Sequence, residues 1–494
     1  MRLVCSHVVV SLFVVVQTTE GLLGLGVDLG TSGVRTAVVD GGGAVIGEAK
    51  ASWSDEEGRS PETWVSKLRE TLLECPGASE ATHIAVSGTS ASLLAVDADG
   101  RVSRGPMMYC DAIDDESAFQ QVLAFAPEGH TTRSKTSALA KLVQWHLAAP
   151  FAHGERCAHQ ADYVAAALAA GFESEDPTKL VFSPGLIQSD WHNALKLGFD
   201  VEALAWPAWM TKGLFPAVGL DGGCLPSDVL KPGGTTSSRP RTVSKKAAAQ
   251  WGLREGAAIV GGTTDSIAAF LACSFDGKSL IVDPGRAVTS LGSTTALKLV
   301  SKVKVDDSTR GVYSHRLDDA WLVGGASNAG CRVLRYFGFD DDELERLSDD
   351  DLFFGFGRQG DEPVVNPLCD RGERFPVNDP DLEPRLPPFE KRRTDESDDA
   401  YAARRRTLLR RLLRGIADVE QRGYAALADL GATPLVAVTT AGGGAKNKPW
   451  RRLRSDLLAV PVVDADYTDA AFGAAVLALT EHPRSASSSE EKAP

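Results

Sequence analysis

The sequence predicts an α/β protein built from two similar lobes. Residues 22–37 and 287–298 each read as a strand, a turn rich in glycine and hydroxyl residues, and a second strand. Elsewhere, strand patterns alternate with helical ones such as residues 61–73 and 404–430. A chain of 494 residues exceeds one ordinary domain. The repeated layout therefore indicates two lobes of related design.

The first of the two turns has the chemistry of an anion-binding loop. Gly30 and Gly33 permit positive φ and lack a Cβ, so backbone N–H groups can converge there, while Thr31 and Ser32 add hydroxyl donors. Asp28, at the end of the preceding strand, can hold Mg²⁺ through water. A polar hairpin turn is the alternative interpretation. The sequence G-x-x-x-x-G-K followed by Ser or Thr does not occur in the chain, which excludes a P-loop.

A second motif puts a carboxylate at the start of a helix. The apolar strand pattern of residues 257–260 runs into two glycines, and Asp265 stands where a helix of small residues begins. A carboxylate at this place can be a helix N-cap. It can also be a general base that accepts the proton of a hydroxyl group attacking a phosphorus atom. We expect Asp265 to have the second role.

A third motif follows the strand pattern of residues 435–440. Three consecutive glycines, which include Gly443 and Gly444, allow a flat adenine ring to lie against the backbone. Asn447 can hydrogen-bond the base or its ribose, and Trp450 offers a stacking face. A flexible turn before a helix is the alternative interpretation.

Composition argues against several classes of function and of site. The formal net charge of −14 argues against a general nucleic-acid or membrane-surface binder. The eight cysteines lack the spacing of a zinc site or a disulfide framework. Residues 1–20 combine Arg2 with an apolar run, as a targeting segment does, although an extra strand or a misplaced start is the alternative. Residues 482–494 are polar and rich in serine, which predicts a disordered tail.

The motifs together resemble those of a known family. Residues 28–33 look like the first phosphate loop of the sugar kinase, heat-shock protein and actin superfamily. With residues 189–198, 261–269, 287–298 and 441–450, the resemblance narrows to the FGGY carbohydrate kinases, and within them to the plant and cyanobacterial D-ribulose kinases, sometimes called xylulose kinase-1. It implies two ribonuclease H-like α/β lobes with a cleft between them. Residues 21–273 would form the sugar-binding lobe and residues 274–481 the ATP-binding lobe.

The resemblance also implies an activity and its site residues. The expected reaction is ATP- and Mg²⁺-dependent phosphorylation of D-ribulose to D-ribulose 5-phosphate, with Asp265 as the base and Asp28 near the metal. D-xylulose or another polyol is the alternative acceptor, and a protein that binds sugar or hydrolyses ATP with little phosphotransfer is the alternative of another class. The expected sugar contacts are Asp28, Ser32, Gly33, Ser90, Asp265 and Ser266; the expected ATP contacts are Thr31, Ser293, Thr294, Gly443, Gly444, Asn447 and Trp450.

Three further expectations concern Asp111, His192 and the partners of the protein. Asp111 either contacts the sugar or caps a helix that starts near Asp114. His192 replaces the usual asparagine of its segment, and we assign it no role. The partners would be a sugar and ATP, without nucleic acid or stable membrane association, in a soluble protein of the cytoplasm or a plastid.

Overall fold

The computed structural model describes residues 21–173, 180–236, 238–349, 351–353, 365–389 and 392–480. The predicted targeting segment 1–20 and tail 482–494 lie outside these residues. Two large sheets with helices packed against them dominate the described part of the chain, which confirms the predicted α/β class with two lobes. Within the described residues, none of the helices is long and apolar enough to cross a membrane.

The first lobe opens with the predicted strand, turn and strand. The elements of this lobe are β1 (Leu23–Gly30), β2 (Gly33–Asp40), β3 (Val45–Ser52), α1 (Pro61–Glu74), β4 (His83–Gly88), β5 (Leu93–Val96), β6 (Val102–Met107), α2 (Glu116–Phe125), α3 (Ala138–Ala148), β7 (Arg156–His159), α4 (Gln160–Ala170), β8 (Gln188–Asp190), α5 (Trp191–Ala194), α6 (Phe215–Val218), β9 (Asp228–Leu230), α7 (Lys245–Trp251), β10 (Ala258–Ile259), β11 (Thr263–Thr264) and α8 (Asp265–Cys273). Its sheet has the order β10-β4-β1-β2-β3, and β11 also pairs with β4.

The second lobe repeats the opening layout. Its elements are β12 (Arg286–Leu291), β13 (Thr295–Ser301), β14 (Tyr313–Leu317), β15 (Ala320–Ser327), α9 (Arg332–Tyr336), α10 (Asp341–Leu347), α11 (Asp398–Asp429), β16 (Ala437–Ala441), α12 (Lys448–Leu458), β17 (Val462–Asp464) and α13 (Ala470–Ala478). Its sheet has the order β14-β15-β13-β12-β16-β17, in which β12 and β13 are antiparallel and β12 and β16 are parallel.

Two helices, α8 and α13, lie between the two sheets. They share one hydrophobic cluster with side chains from both sheets, among them Val39 of the first and Val288 of the second. Small residues permit this close packing: a Cβ on Gly26 would stand 1.9 Å from the carbonyl oxygen of Ala471. Helix α13 therefore packs on β1, and it helps to fix the relative position of the lobes.

Candidate active site

Parallel pairing brings three predicted segments of the first lobe to one edge of its sheet. Strand β1 places Asp28 beside Ser87 of β4, and β4 in turn places Ser87 beside Thr263 of β11. Helix α8 begins at Asp265, directly after β11. The carboxyl ends of parallel strands meet at the same edge of a sheet, so Asp28, the loop after β4 and Asp265 lie together.

Asp28 is buried, with 3% of its surface exposed. Its Oδ1 accepts a 2.8 Å hydrogen bond from Ser87 Oγ, and Arg35 Nη1 lies 3.6 Å from its Oδ2. Burial raises the pKa of Asp28 to about 6, and the negative charges of Asp265 and Asp469 act in the same direction. The carboxylate is therefore held in place at an energetic cost, and a bound cation would relieve that cost.

Asp265 is the first residue of α8 and is half-buried. The N-cap position belongs to Thr264, so Asp265 is not the N-cap residue. Its Oδ1 accepts a 2.6 Å hydrogen bond from the N–H of Ser266. Burial raises the pKa of Asp265, while this hydrogen bond and the ammonium of Lys298 oppose the rise. A half-buried carboxylate with a raised pKa is suited to accepting a proton.

Sequence reasoning missed Lys298. This residue lies on β13 of the second lobe, and its ammonium donates a hydrogen bond to the carbonyl oxygen of Ser266 on α8. Burial lowers the pKa of Lys298 to about 8, and the charge of Asp265 counteracts that shift. The side chain therefore links the second lobe to the first turn of the helix that carries Asp265. An alternating strand pattern gives no signal that one of its lysines reaches another lobe.

The predicted loop residues lie on accessible turns. Thr31, Ser32, Ser293 and Thr294 are exposed, and so is Ser266 beside Asp265. Their hydroxyl groups are therefore available to a ligand.

Gly33 is buried instead. A Cβ at this position would stand 2.4 Å from the carbonyl oxygen of Ala51, so glycine is required there by the packing of β2 on β3. This close contact with Ala51 explains the glycine by packing alone. The contact of Gly33 with the sugar stays a prediction.

The glycine loop and the second phosphate-type turn are neighbours. Strands β12 and β16 run parallel and pair Ser290 with Ala441, so the turn at residues 292–294 and the loop at residues 442–447 leave the sheet at the same edge. Gly442 has φ of 86° and packs against the backbone of Leu291. This adjacency allows one ligand to touch both loops.

The stacking prediction for Trp450 is wrong in this structure. Trp450 is 1% exposed and packs in the core beside α11, so its ring offers no face to a nucleotide. A Cβ on Gly444 would stand 2.8 Å from the Trp450 ring, whereas a Cβ on Gly443 would meet nothing within 4 Å. The indole therefore supports the glycine loop from beneath. Asn447 caps α12 by accepting the Trp450 N–H at 3.0 Å, and its Nδ2 donates to Ser348.

Ser90 has the properties of a ligand contact. It lies in the loop after β4, and its Oγ is buried without a hydrogen-bond partner among the described residues. A buried hydroxyl without a partner is costly, and a ligand hydroxyl can satisfy it. Asp111 does not cap the following helix: it forms a two-point ion pair with Arg59 and accepts the Met108 N–H at 2.7 Å, and its contact with the sugar stays a prediction. The following helix, α2, is capped by Asp115.

His192 has a structural position. Its Nδ1 lies 2.8 Å from Thr263 Oγ1 and its Nε2 donates to the carbonyl oxygen of Arg316 at 2.7 Å. Burial lowers the pKa of His192 to about 4, so the ring is neutral at pH 7. The side chain joins α5 in the first lobe to β14 in the second.

The carboxylates fit a magnesium ion that is held chiefly by phosphates. Within the described ranges, no group of three or more His, Cys, Asp or Glu residues could enclose a metal by itself. Mg²⁺ commonly takes one or two carboxylates, water and substrate phosphates. Asp28, beside the Thr31 loop, would offer such a carboxylate, and its role as a holder of Mg²⁺ through water stays a prediction.

Comparison with known proteins relates the second lobe to one family. Residues 287–482 match the C-terminal domain of the FGGY family of carbohydrate kinases. Over 249 residues the chain is 24% identical to the gluconokinase of Bacillus subtilis, which is 48% of this chain and 45% of that protein. The alignment thus spans less than half of the gluconokinase. The chain is also 29% identical to 87 residues of an Arthrobacter xylulose kinase, which is 17% of this chain and 91% of that sequence.

Solved structures confirm the predicted two-lobed fold of the actin and hexokinase type. A xyloylose kinase from Brucella ovis superposes with a TM-score of 0.71 at 23% identity, and the match covers 93% of this chain and 90% of that one. At this identity the similarity concerns the fold alone.

Proposed function

We propose that this chain, whose residues 287–482 match the C-terminal domain of the FGGY family of carbohydrate kinases, is an ATP-dependent kinase of that family whose preferred acceptor is D-ribulose. One observation carries the proposal: two carboxylates with raised pKa values, Asp28 and Asp265, lie at one sheet edge of the first lobe. Phosphoryl transfer requires a base for the acceptor hydroxyl and a means of neutralising phosphate charge. Asp265 would be the base, and Asp28 would help to hold the Mg²⁺ that neutralises the phosphate charge.

In the proposed mechanism, Asp265 accepts the proton of the acceptor's terminal hydroxyl as its oxygen attacks the γ-phosphorus of ATP. The Asp265 carboxylate is fixed by the Ser266 N–H, which aims one oxygen and leaves the other for the substrate. Lys298 stands near the same atoms and stabilises negative charge there. Mg²⁺, when bound, neutralises phosphate charge near Asp28. Lobe closure excludes water, which suppresses hydrolysis of ATP.

ATP is assigned to the second lobe. Its adenine would lie on the backbone of Gly443 and Gly444, and its phosphates would lie between the Thr294 and Thr31 turns. The support is geometric, because the glycine loop and the Thr294 turn leave parallel strands side by side. The exposed Ser293 hydroxyl adds a donor beside Thr294.

The acceptor assignment rests on the resemblance of the motifs to those of D-ribulose kinases. Ser90, with its unpartnered Oγ, and the exposed Ser266 are the hydroxyl contacts proposed for it. Ser32 would complete the pocket rim. D-xylulose is the second candidate, since proteins named xylulose kinase are among both the sequence relatives and the structural neighbours.

A kinase panel tests the proposal. The full chain is incubated with ATP and Mg²⁺ and, separately, D-ribulose, D-xylulose, L-ribulose, D-gluconate, glycerol or no sugar, and ADP and sugar phosphate are both measured. We expect stoichiometric ADP and sugar phosphate, fastest with D-ribulose. Fastest transfer to another sugar would overturn the acceptor assignment. ATP hydrolysis that is independent of every sugar would overturn the kinase assignment and favour an ATP-hydrolysing protein.

A further inference from the structure

A buried lysine joins the two loops that surround Ser90. Lys141 lies on α3 and is fully buried. Its ammonium donates to the carbonyl oxygen of Ala91 at 2.8 Å and to that of Met108 at 2.6 Å. Ala91 follows Ser90 directly, and Met108 belongs to the segment that ends at Asp111. One side chain therefore bridges two loops that are separated in the sequence.

The conformation beside Ser90 needs such support. Ala91 has φ of 70°, in the left-handed region that disfavours residues other than glycine. Its carbonyl oxygen is the one that Lys141 binds. Ser90 Oγ, one residue earlier, is buried and has no partner among the described residues. A strained backbone that presents an unsatisfied hydroxyl is typical of a ligand site, where the surrounding structure holds the strain in place.

A second contact, through Ser92, joins the same two loops. Ser92 Oγ accepts the N–H of Tyr109 at 2.9 Å and lies 2.5 Å from Thr89 Oγ1. Thr89 is anchored in turn to Gln160, whose Oε1 accepts both its N–H and its hydroxyl. Ser92 is therefore a smaller, independent attachment between the same two loops.

Burial of a charged ammonium group has a high desolvation cost, and at this position the ammonium satisfies two carbonyl groups. In the described part of the chain, no carboxylate forms an ion pair with Lys141, and burial lowers its pKa to about 8. A shorter polar side chain would cost less but would not reach both loops. Because the Lys141 ammonium binds both carbonyl oxygens, it fixes the distance between the two loops.

We propose that Lys141 is a positioning residue for the acceptor: by bridging Ala91 and Met108 it holds the Ser90 hydroxyl where the sugar binds. This inference rests on the proposed kinase function. It assigns Lys141 to recognition of the acceptor and not of ATP, because both carbonyl groups belong to first-lobe loops near Ser90, whereas the proposed ATP loops lie on the second lobe.

The test separates the two substrates. In Lys141→Met the KM for D-ribulose should rise at least about tenfold, while the KM for ATP stays within about twofold of the original value. The matched control is Lys135→Met, because Lys135 is a nearby lysine with an exposed ion pair to Glu116. The control should leave both KM values unchanged. Lys141→Arg, which keeps a charged donor, should recover part of the loss in acceptor KM.

A purely structural role predicts a different pattern. It would lower the melting temperature of Lys141→Met while both KM values of the remaining folded enzyme stay unchanged, and this result would overturn the proposal. If Lys141→Met does not fold, Ser92→Ala decides: we expect a threefold or larger rise in the acceptor KM alone, and an unchanged acceptor KM refutes the inference. Absence of transfer by the unmodified chain to any sugar would instead refute the kinase function itself.

Discussion

Replacing Asp28 by asparagine should stabilise the protein at neutral pH while it damages activity. Burial raises the pKa of Asp28 from 3.8 to about 6, so the folded state binds this proton more tightly than the unfolded state does. The proton contributes stability fully below about pH 4, and that contribution is lost as the pH rises through about 6. The difference between these two pKa values of Asp28 corresponds to about 3 kcal/mol of unfolding free energy. The introduced amide can still accept the Ser87 hydrogen bond, so we expect Asp28→Asn to gain about 1–3 kcal/mol at pH 8.

Thermal unfolding at two pH values measures this gain. For domains of 150–250 residues, 1 kcal/mol corresponds to about 2–4 °C in Tm. Asp28→Asn should therefore unfold at least about 2 °C higher than the original protein at pH 8, and the difference should shrink at pH 5. Asp55→Asn, on an exposed carboxylate, is the matched control and should change little. A Tm that falls at pH 8, or a gain that does not depend on pH, would refute the electrostatic argument.

Three further predictions concern the second lobe. Glu420→Gln should cost about 3 kcal/mol or more, because it leaves the fully buried Arg454 guanidinium without its charge partner; an unchanged Tm would contradict this. Gly444→Ala should lower the Tm, because its Cβ would stand 2.8 Å from the Trp450 ring, whereas Gly443→Ala should leave the Tm unchanged and raise the KM for ATP, because its Cβ would enter the open space proposed for the adenine; an unchanged KM for ATP in Gly443→Ala would argue against the proposed adenine position. Lys298→Met should shift the acidic limb of the kcat/KM profile to higher pH, since its charge opposes the raised pKa of Asp265; an unmoved limb would show that Lys298 does not act on the base.

Local chemistry made parts of the site predictable. Glycine and hydroxyl residues between two apolar strands identify a turn wherever it lies in a protein, so the Thr31 and Thr294 turns could be found from sequence. Asp265 could be placed at the start of a helix for the same reason, although the N-cap position itself belongs to the preceding residue. Strand pairing then put Asp28 and Asp265 at one edge, which is the consequence of parallel topology.

The features that sequence reasoning missed depend on tertiary contacts. Whether Trp450 faces a ligand or the core is decided by α11, which packs over it and buries the ring. Lys298 and Lys141 look like ordinary lysines in a strand and a helix, because nothing local marks which carbonyl oxygen each ammonium reaches. The ion pair between Arg59 and Asp111 likewise joins residues that are 52 positions apart.

The central claim is that Asp265 is the base of a sugar kinase, and Asp265→Asn tests it most directly. Phosphotransfer to D-ribulose should fall at least about a hundredfold, the range expected on loss of a general base. Nucleotide affinity, measured by titration of ATP in the absence of sugar, should stay within about threefold of the original value. Asp55→Asn serves again as the control for the substitution itself. Turnover near that of the original protein in folded Asp265→Asn would contradict the account.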